Sequence, residues 1–190
     1  MDKISRQDNI KKEYVNATKE IIETKGVEQV SARNIAKITG FSYATLYNYF
    51  KDIDTLMTYV AIDYLDESYE YITSGLKRIL NPIEKIIHCS TKYFDYMFSK
   101  PSVFKIIFIN NFGEVTQETA MKLVPKVTIL LKQILDEIEE KRFKMSFDST
   151  YELISSSVHA KLMFHVFNRT SNDVKHTFNQ ISNEIKDMFR

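Results

Sequence analysis

Residues 31–50 read SARNIAKITGFSYATLYNYF, and this stretch decides the fold. Ser31 stands where a helix N-cap belongs, and Ala32, Ile35 and Ala36 give one short amphipathic helix behind it. Thr39-Gly40-Phe41 reads as a tight turn, and Ser42 is a second N-cap. Leu46 and Phe50 then fall one helical turn apart on a second short helix. Two short helices across a glycine turn are the anatomy of a helix-turn-helix. The second helix is rich in small and hydrogen-bonding residues. Small residues such as Ser42 and Ala44 keep it narrow enough for a major groove, and its hydroxyls can donate to phosphate oxygens. Ile35, Ala36, Leu46 and Phe50 are expected in the core.

Working outward, Ile10, Tyr14, Ala17 and Ile21 form one stripe of a preceding helix, and Gly26 ends it. On the other side, Leu56, Val60, Tyr64, Tyr69, Ile72, Leu76 and Ile79 predict one long helix from Asp52 to about Leu80. Asn81-Pro82 restarts a helix that Lys100-Pro101 stops. Ser102 caps a short apolar helix to Ile109, and Asn110 to Gly113 read as a loop. The stripe from Met121 to Ile138 contains Pro125, so it is either kinked or two pieces. A helix from Asp148 or Ser149 to about Asn168, and one carrying Val174, Phe178, Ile181, Ile185 and Met188, complete the chain. No segment reads as a strand. The expectation is an all-α fold of about nine helices, with a three-helix domain at residues 1–51 and a helical domain at 52–190.

The 190 residues carry a net charge of +1, so any nucleic-acid-binding surface must come from local clustering. Residues 1–51 hold nine basic side chains against six acidic ones, a small tilt in that direction. The one cysteine, Cys89, excludes an intrachain disulfide and reads as a small buried filler. No apolar run approaches a membrane span, and the first twelve residues lack the apolar core of a signal peptide, so a soluble, cytoplasmic protein is expected.

At this point the sequence is specific. Gly26 to Leu56, GVEQVSARNIAKITGFSYATLYNYFKDIDTL, resembles the DNA-binding signature of the TetR family of bacterial regulators. The glycine after helix 1, Ile35-Ala36, Gly40-Phe41-Ser42, Thr45-Leu46-Tyr47, Tyr49-Phe50 and Leu56 carry the resemblance. It implies base-facing positions at Tyr43, Ala44 and Asn48, and phosphate contacts at Ser31, Ser42, Thr45, Tyr47 and Tyr49. One departure stands out: Ile53 occupies the place of a family lysine that meets a phosphate, and Lys51 or Arg33 are the candidates to replace it. The resemblance further implies a homodimer through the last two helices, double-stranded operator DNA as partner, and a small apolar or aromatic effector. The implied function is a ligand-responsive regulator, a repressor released from a palindromic operator by its inducer. The alternative is a TetR-like adaptor whose main partner is another protein, and Ile53 keeps it open.

The second domain offers weaker signals. Phe, Tyr and Met are dense from Ile83 to His165, and His88, Tyr93, Phe94, Met97, Phe108, Met121, His159 and Met163 are candidate pocket residues. Phe98, Phe104, Phe112 and Phe164 belong to the same apolar set. Each is alternatively plain core. The effector is expected between the Ile83–Lys100 and Ser149–Asn168 segments. No histidine pair has the i, i+4 spacing of a metal site, so neither metal nor cofactor is expected. Nothing resembles a nucleophile elbow, a P-loop or a dinucleotide fingerprint, so an enzyme is not expected. Ser155, Ser156, Ser157 and Ala160 are small enough to let another helix approach closely, which fits a four-helix interface across a two-fold axis.

Overall fold

The computed structural model describes residues 3–109 and 117–190. The predicted loop at Asn110 to Gly113 and the candidate Phe112 lie outside these. The described residues are helical, with one isolated antiparallel bridge between Phe143 and Phe189. The helices are α1 (Lys3–Lys25), α2 (Ala32–Thr39), α3 (Tyr43–Leu46), α4 (Ile53–Thr73), α5 (Pro82–Ser99), α6 (Pro101–Phe108), α7 (Gln117–Lys122), α8 (Lys126–Asp136), α9 (Phe147–Val166) and α10 (Val174–Asp187). The chain forms two compact units. One holds residues 1–65 and 102–123, the other 66–101 and 124–190. Helix α4 contributes residues to both.

In the first unit the stripes predicted from spacing are buried. Tyr14, Ile21, Ile35, Leu46, Leu56 and Val60 are fully enclosed, and Phe50 nearly so. Tyr14 is the aromatic centre, with ring centroids 5.6 Å from Phe41, 6.0 Å from Tyr49 and 6.0 Å edge-on from Phe50. A Lys19–Asp63 ion pair at 2.5 Å ties α1 to α4, and the same ammonium lies 4.5 Å from the Tyr64 ring centroid.

In the second unit α5 is the central helix, packing against α8, α9 and α10. Its start follows the sequence: the Asn81 side chain accepts from the N–H groups of Ile83 and Glu84, with Pro82 in the first turn. Phe94 is fully buried, and its ring meets Phe98, His165 and Phe178 at 5.2–5.9 Å. Ser146 and Asp173 cap α9 and α10 through the N–H groups of Ser149 and His176.

The long helix predicted from Asp52 to about Leu80 is shorter than its apolar spacing suggests. It ends at Thr73, because Gly75 takes a left-handed conformation with φ of 83°. A short 3-10 turn, Leu76–Arg78, follows and keeps Leu76 and Ile79 in helix-like spacing without prolonging the helix. The His88 ring of α5 closes this end, its Nε2 lying 3.1 Å from the carbonyl oxygens of both Ile72 and Ser74. At Pro125 the stripe divides into α7 and α8, the second of the two outcomes left open by its proline.

Candidate nucleic-acid interface

The helix-turn-helix is built by caps and a buried seam. The Ser31 hydroxyl accepts from the Asn34 N–H at 3.3 Å and starts α2. Gly40 stops it in the left-handed region, φ 73°, with its N–H on the Ala36 carbonyl at 3.0 Å. The Ser42 hydroxyl accepts from the Thr45 N–H at 3.1 Å and starts α3. After the single α-helical turn, Asn48, Tyr49 and Phe50 bond back to Thr45 and Leu46 carbonyls at 2.9–3.1 Å, extending a tight coil. Leu46 and Phe50 anchor this coil inward.

That anchoring turns the opposite side outward. Ser42, Tyr43, Ala44, Tyr47 and Asn48 are exposed, Tyr43 by 65% and Tyr47 by 49%. Two large aromatic side chains facing solvent on one short coil are unusual where no partner covers them. Arg33 on α2 and Lys51 after α3 are exposed as well. Ser31 and Thr45 are half-buried, and Thr45 Oγ1 lies 2.8 Å from Ser42 Oγ, so both hydroxyls also serve the caps. Tyr49 is half-buried against Tyr14. Ile53 is half-buried at the start of α4, where Asp52 caps through the Thr55 N–H and hydroxyl, both at 2.7 Å. These two bonds hold the Asp52 carboxyl below its ordinary range, the side-chain bond contributing most. A capping aspartate is the signal that fixes the start of α4 in the sequence.

The pocket candidates divide. Tyr93 and His159 come together across α5 and α9, with the phenol oxygen 3.1 Å from Nδ1. Phe94 and Met97 are fully buried core, and Phe108 is half-buried in the first unit. His88 closes α4 as described. Met121 and Met163 are exposed, by 69% and 38%. A cavity of about 600 Å³ lies elsewhere in the second unit, lined by Tyr69, Thr73, Leu76, Lys77, Arg78 and Leu130 among others. None of the eight candidates lines it. Nothing in the sequence spacing marks it, since the apolar stripe runs on through Leu76 and Ile79 past the end of α4.

On α9, Leu153, Met163 and Phe164, with Phe167 just past its end, are exposed by 38–54%, and Ser156 and Ala160 are exposed between them. Their spacing places them along one side of the helix. The half-buried cluster of Ser157, Lys161 and Glu184 joins α9 to α10, with Lys161 Nζ 2.6 Å from the Glu184 carboxylate. Among the described residues no group of His, Cys, Asp and Glu could hold a metal ion, and no helix is long and apolar enough to cross a membrane.

Residues 15–60 match the family model of bacterial regulatory proteins of the tetR family. No curated protein matches the chain in sequence. Among solved structures, the fold is similar to RolR bound to resorcinol, 14% identical over 98% of this chain and 90% of that one, TM-score 0.72. It is also similar to Bacillus subtilis FadR with stearoyl-CoA, 18% identical over 94% and 98%, TM-score 0.69. Thermus thermophilus FadR, a TetR-family repressor solved with lauroyl-CoA, is 15% identical over 92% of each chain, TM-score 0.66. The segment that carries α2, α3 and the start of α4 is thus the part of the chain that matches the tetR-family model, and the chain shares the fold of these solved structures.

Proposed function

We propose that the chain binds a palindromic operator as a homodimer and is released from it by a small apolar effector. The observation that carries the DNA half is the outward face of Ser42, Tyr43, Ala44, Tyr47 and Asn48 on a coil fixed by Leu46 and Phe50. In this reading Tyr43, Ala44 and Asn48 address base edges. Ser31, Ser42, Thr45, Tyr47 and Tyr49 address phosphates, with Arg33 and Lys51 supplying charge in place of the missing lysine at Ile53. The dimer half is supported by the exposed apolar side of α9, whose small residues Ser156 and Ala160 allow a second helix to come close.

An effector changes operator affinity only by binding the two conformations unequally. A tenfold change requires about 1.4 kcal/mol of coupling. Helix α4 is the coupler in this reading, since its residues belong to both units and its end is held by His88. Resorcinol and acyl-CoA are the ligands named for the similar structures. Both combine an apolar body with polar atoms, which supports an effector of that kind here.

The test is a pair of substitutions read by fluorescence anisotropy on selected DNA fragments. Tyr47→Phe removes a phosphate bond and weakens binding equally on all sequences. Asn48→Ala costs about 1–3 kcal/mol at one base pair and relaxes preference there. Even losses across a set of operator variants for both proteins would remove Asn48 from base reading.

A further inference from the structure

The cavity of about 600 Å³ in the second unit lies where α4 ends. Thr73, Ser74 and Gly75 make the stop, and the 3-10 turn Leu76–Arg78 follows it. All of these line the cavity, together with Tyr69 one turn back on α4 and Leu130 of α8. A volume of this size falls within the usual range of small-molecule pockets, about 300–1,000 Å³. The lining has two kinds of surface. Tyr69, Leu76 and Leu130 are half-buried and give it an apolar wall. Lys77 and Arg78 give it two cations, and no carboxylate lines it.

These two cations differ from others of the same unit. Lys85, Lys126, Lys161 and Lys186 each pair with a carboxylate at 2.5–3.3 Å. Among the described residues, Lys77 and Arg78 have neither an ion pair nor a side-chain hydrogen bond. A helix C-terminus is ordinarily a poor place for an anion, because its last carbonyls carry partial negative charge. Here those carbonyls are engaged. The Thr73 hydroxyl donates to the Tyr69 carbonyl at 2.8 Å, and the Ser74 N–H to those of Glu70 and Tyr71 at 3.1 and 3.3 Å. His88 Nε2 lies 3.1 Å from the Ile72 and Ser74 oxygens, and two carbonyl neighbours make that nitrogen the protonated one. Lys77 and Arg78 therefore set the sign of the cavity.

We propose that this cavity is the effector site and takes a free amphiphile with one anionic head, in its simplest form an acyl carboxylate. The chain lies against Tyr69, Leu76 and Leu130, and the head meets Lys77 and Arg78. A guanidinium can hold both oxygens of a carboxylate, and the ammonium adds a point charge. An ammonium head would meet two like charges, and an uncharged head would leave both cations without a counter-charge. The inference rests on the effector reading above and gives it a place and a ligand class. A molecule bound there touches the last turn of α4, the helix which that reading makes the coupler.

The experiment uses octanoate, octanol and octylamine, which share a chain and differ in head, and acetate, which is the head without the chain. Calorimetric titration of the full chain is run at about pH 7.5, where octanoate is anionic and octylamine cationic. The expected result is that octanoate binds roughly fivefold or more tighter than each of the other three. In the double variant Lys77→Gln, Arg78→Gln the preference over octanol falls below about twofold, and either single substitution removes part of it. Both side chains are exposed, so these variants fold; a calorimetric melt checks this. Lys175→Gln removes an exposed charge outside the lining and leaves the preference intact. Among the four glycines only Gly75 follows a serine, so ¹⁵N-glycine with ¹³C-carbonyl serine singles out its amide, which moves on adding octanoate. Binding of no probe, octanol, octylamine or acetate as tight as octanoate, and a preference unchanged in the double variant each overturn the proposal. So do an equal loss in Lys175→Gln and a Gly75 signal that stays in place. Operator affinity measured with saturating octanoate separates the two claims. Binding with the expected head-group preference but unchanged operator affinity leaves this site standing and refutes the effector mechanism.

Discussion

Tyr14 offers a sharp test of how the DNA-binding unit is held together. Its side chain is wholly buried, its ring contacts Phe41, Tyr49 and Phe50, and its hydroxyl has no hydrogen-bond partner among the described residues. Burial, more than the nearby Tyr49 and Glu13, pushes its phenol up, so it stays neutral in any ordinary buffer. An unpaired buried hydroxyl costs about 1–3 kcal/mol. Tyr14→Phe keeps every ring contact and deletes only that cost, so it should stabilise the unit by about 1–2 kcal/mol. At roughly 2–4 °C per kcal/mol for a chain of this length, the calorimetric midpoint should rise by about 2–8 °C. Tyr14→Ala removes the ring, and with it about 3–5 kcal/mol of packing. The assay is calorimetry on both variants, with DNA affinity measured in parallel. The reasoning requires the Phe variant to bind DNA as before and the Ala variant to fail through unfolding. A Tyr14→Phe protein less stable than the parent by more than about 0.5 kcal/mol would mean that the hydroxyl has a partner, and the argument would be wrong.

Ser42→Ala removes the cap of α3 and the hydroxyl partner of Thr45, and should cost about 1 kcal/mol in a urea melt together with part of the DNA affinity. His165 is wedged between Phe94 and Phe98 and bonded to Thr177 Oγ1 at 2.8 Å; its burial pushes the imidazole down, outweighing Asp173. The unfolded chain therefore takes up the proton first, so this contribution is whole above about pH 6.5, histidine's ordinary pKa, and is lost as pH falls through the lower folded value. His159 acts in the same direction. Midpoints measured from pH 7.5 down to 5 should fall, and His165→Asn should flatten the fall; an unchanged slope would contradict the burial argument. Phe164→Glu places a charge on the exposed side of α9 and should shift sedimentation from dimer to monomer at micromolar concentration with melting nearly unaltered. A dimer that survives it would move the interface elsewhere.

The helix-turn-helix was legible because its information is local. Ser31, Gly40 and Ser42 each fix a helix end through bonds within a few residues, and Leu46 and Phe50 need only helical spacing to find the core. The end of α4 was illegible for the converse reason. Leu76 and Ile79 keep a helical spacing after the helix has stopped, and the stop depends on Gly75 together with a histidine on α5. The aromatic-rich candidates of the second unit show the limit of composition. Phe94 and Met97 became core, Met121 and Met163 face outward, and only Tyr93 and His159 form a polar pair. Side-chain type says that a residue can line a cavity; packing between distant helices decides whether it does.

The central claim is that the face from Ser42 to Asn48 reads DNA within a two-fold dimer. Selection from a random double-stranded DNA library, with the full chain as bait and Asn48→Ala alongside, tests it most directly. The account predicts enrichment of an inverted repeat whose half-site centres lie about one helical turn, roughly 34–36 Å, apart. It predicts that Asn48→Ala keeps the repeat and its spacing while losing preference at one symmetric base pair. A library that emerges unenriched, or enriched in a sequence without two-fold symmetry, would contradict it.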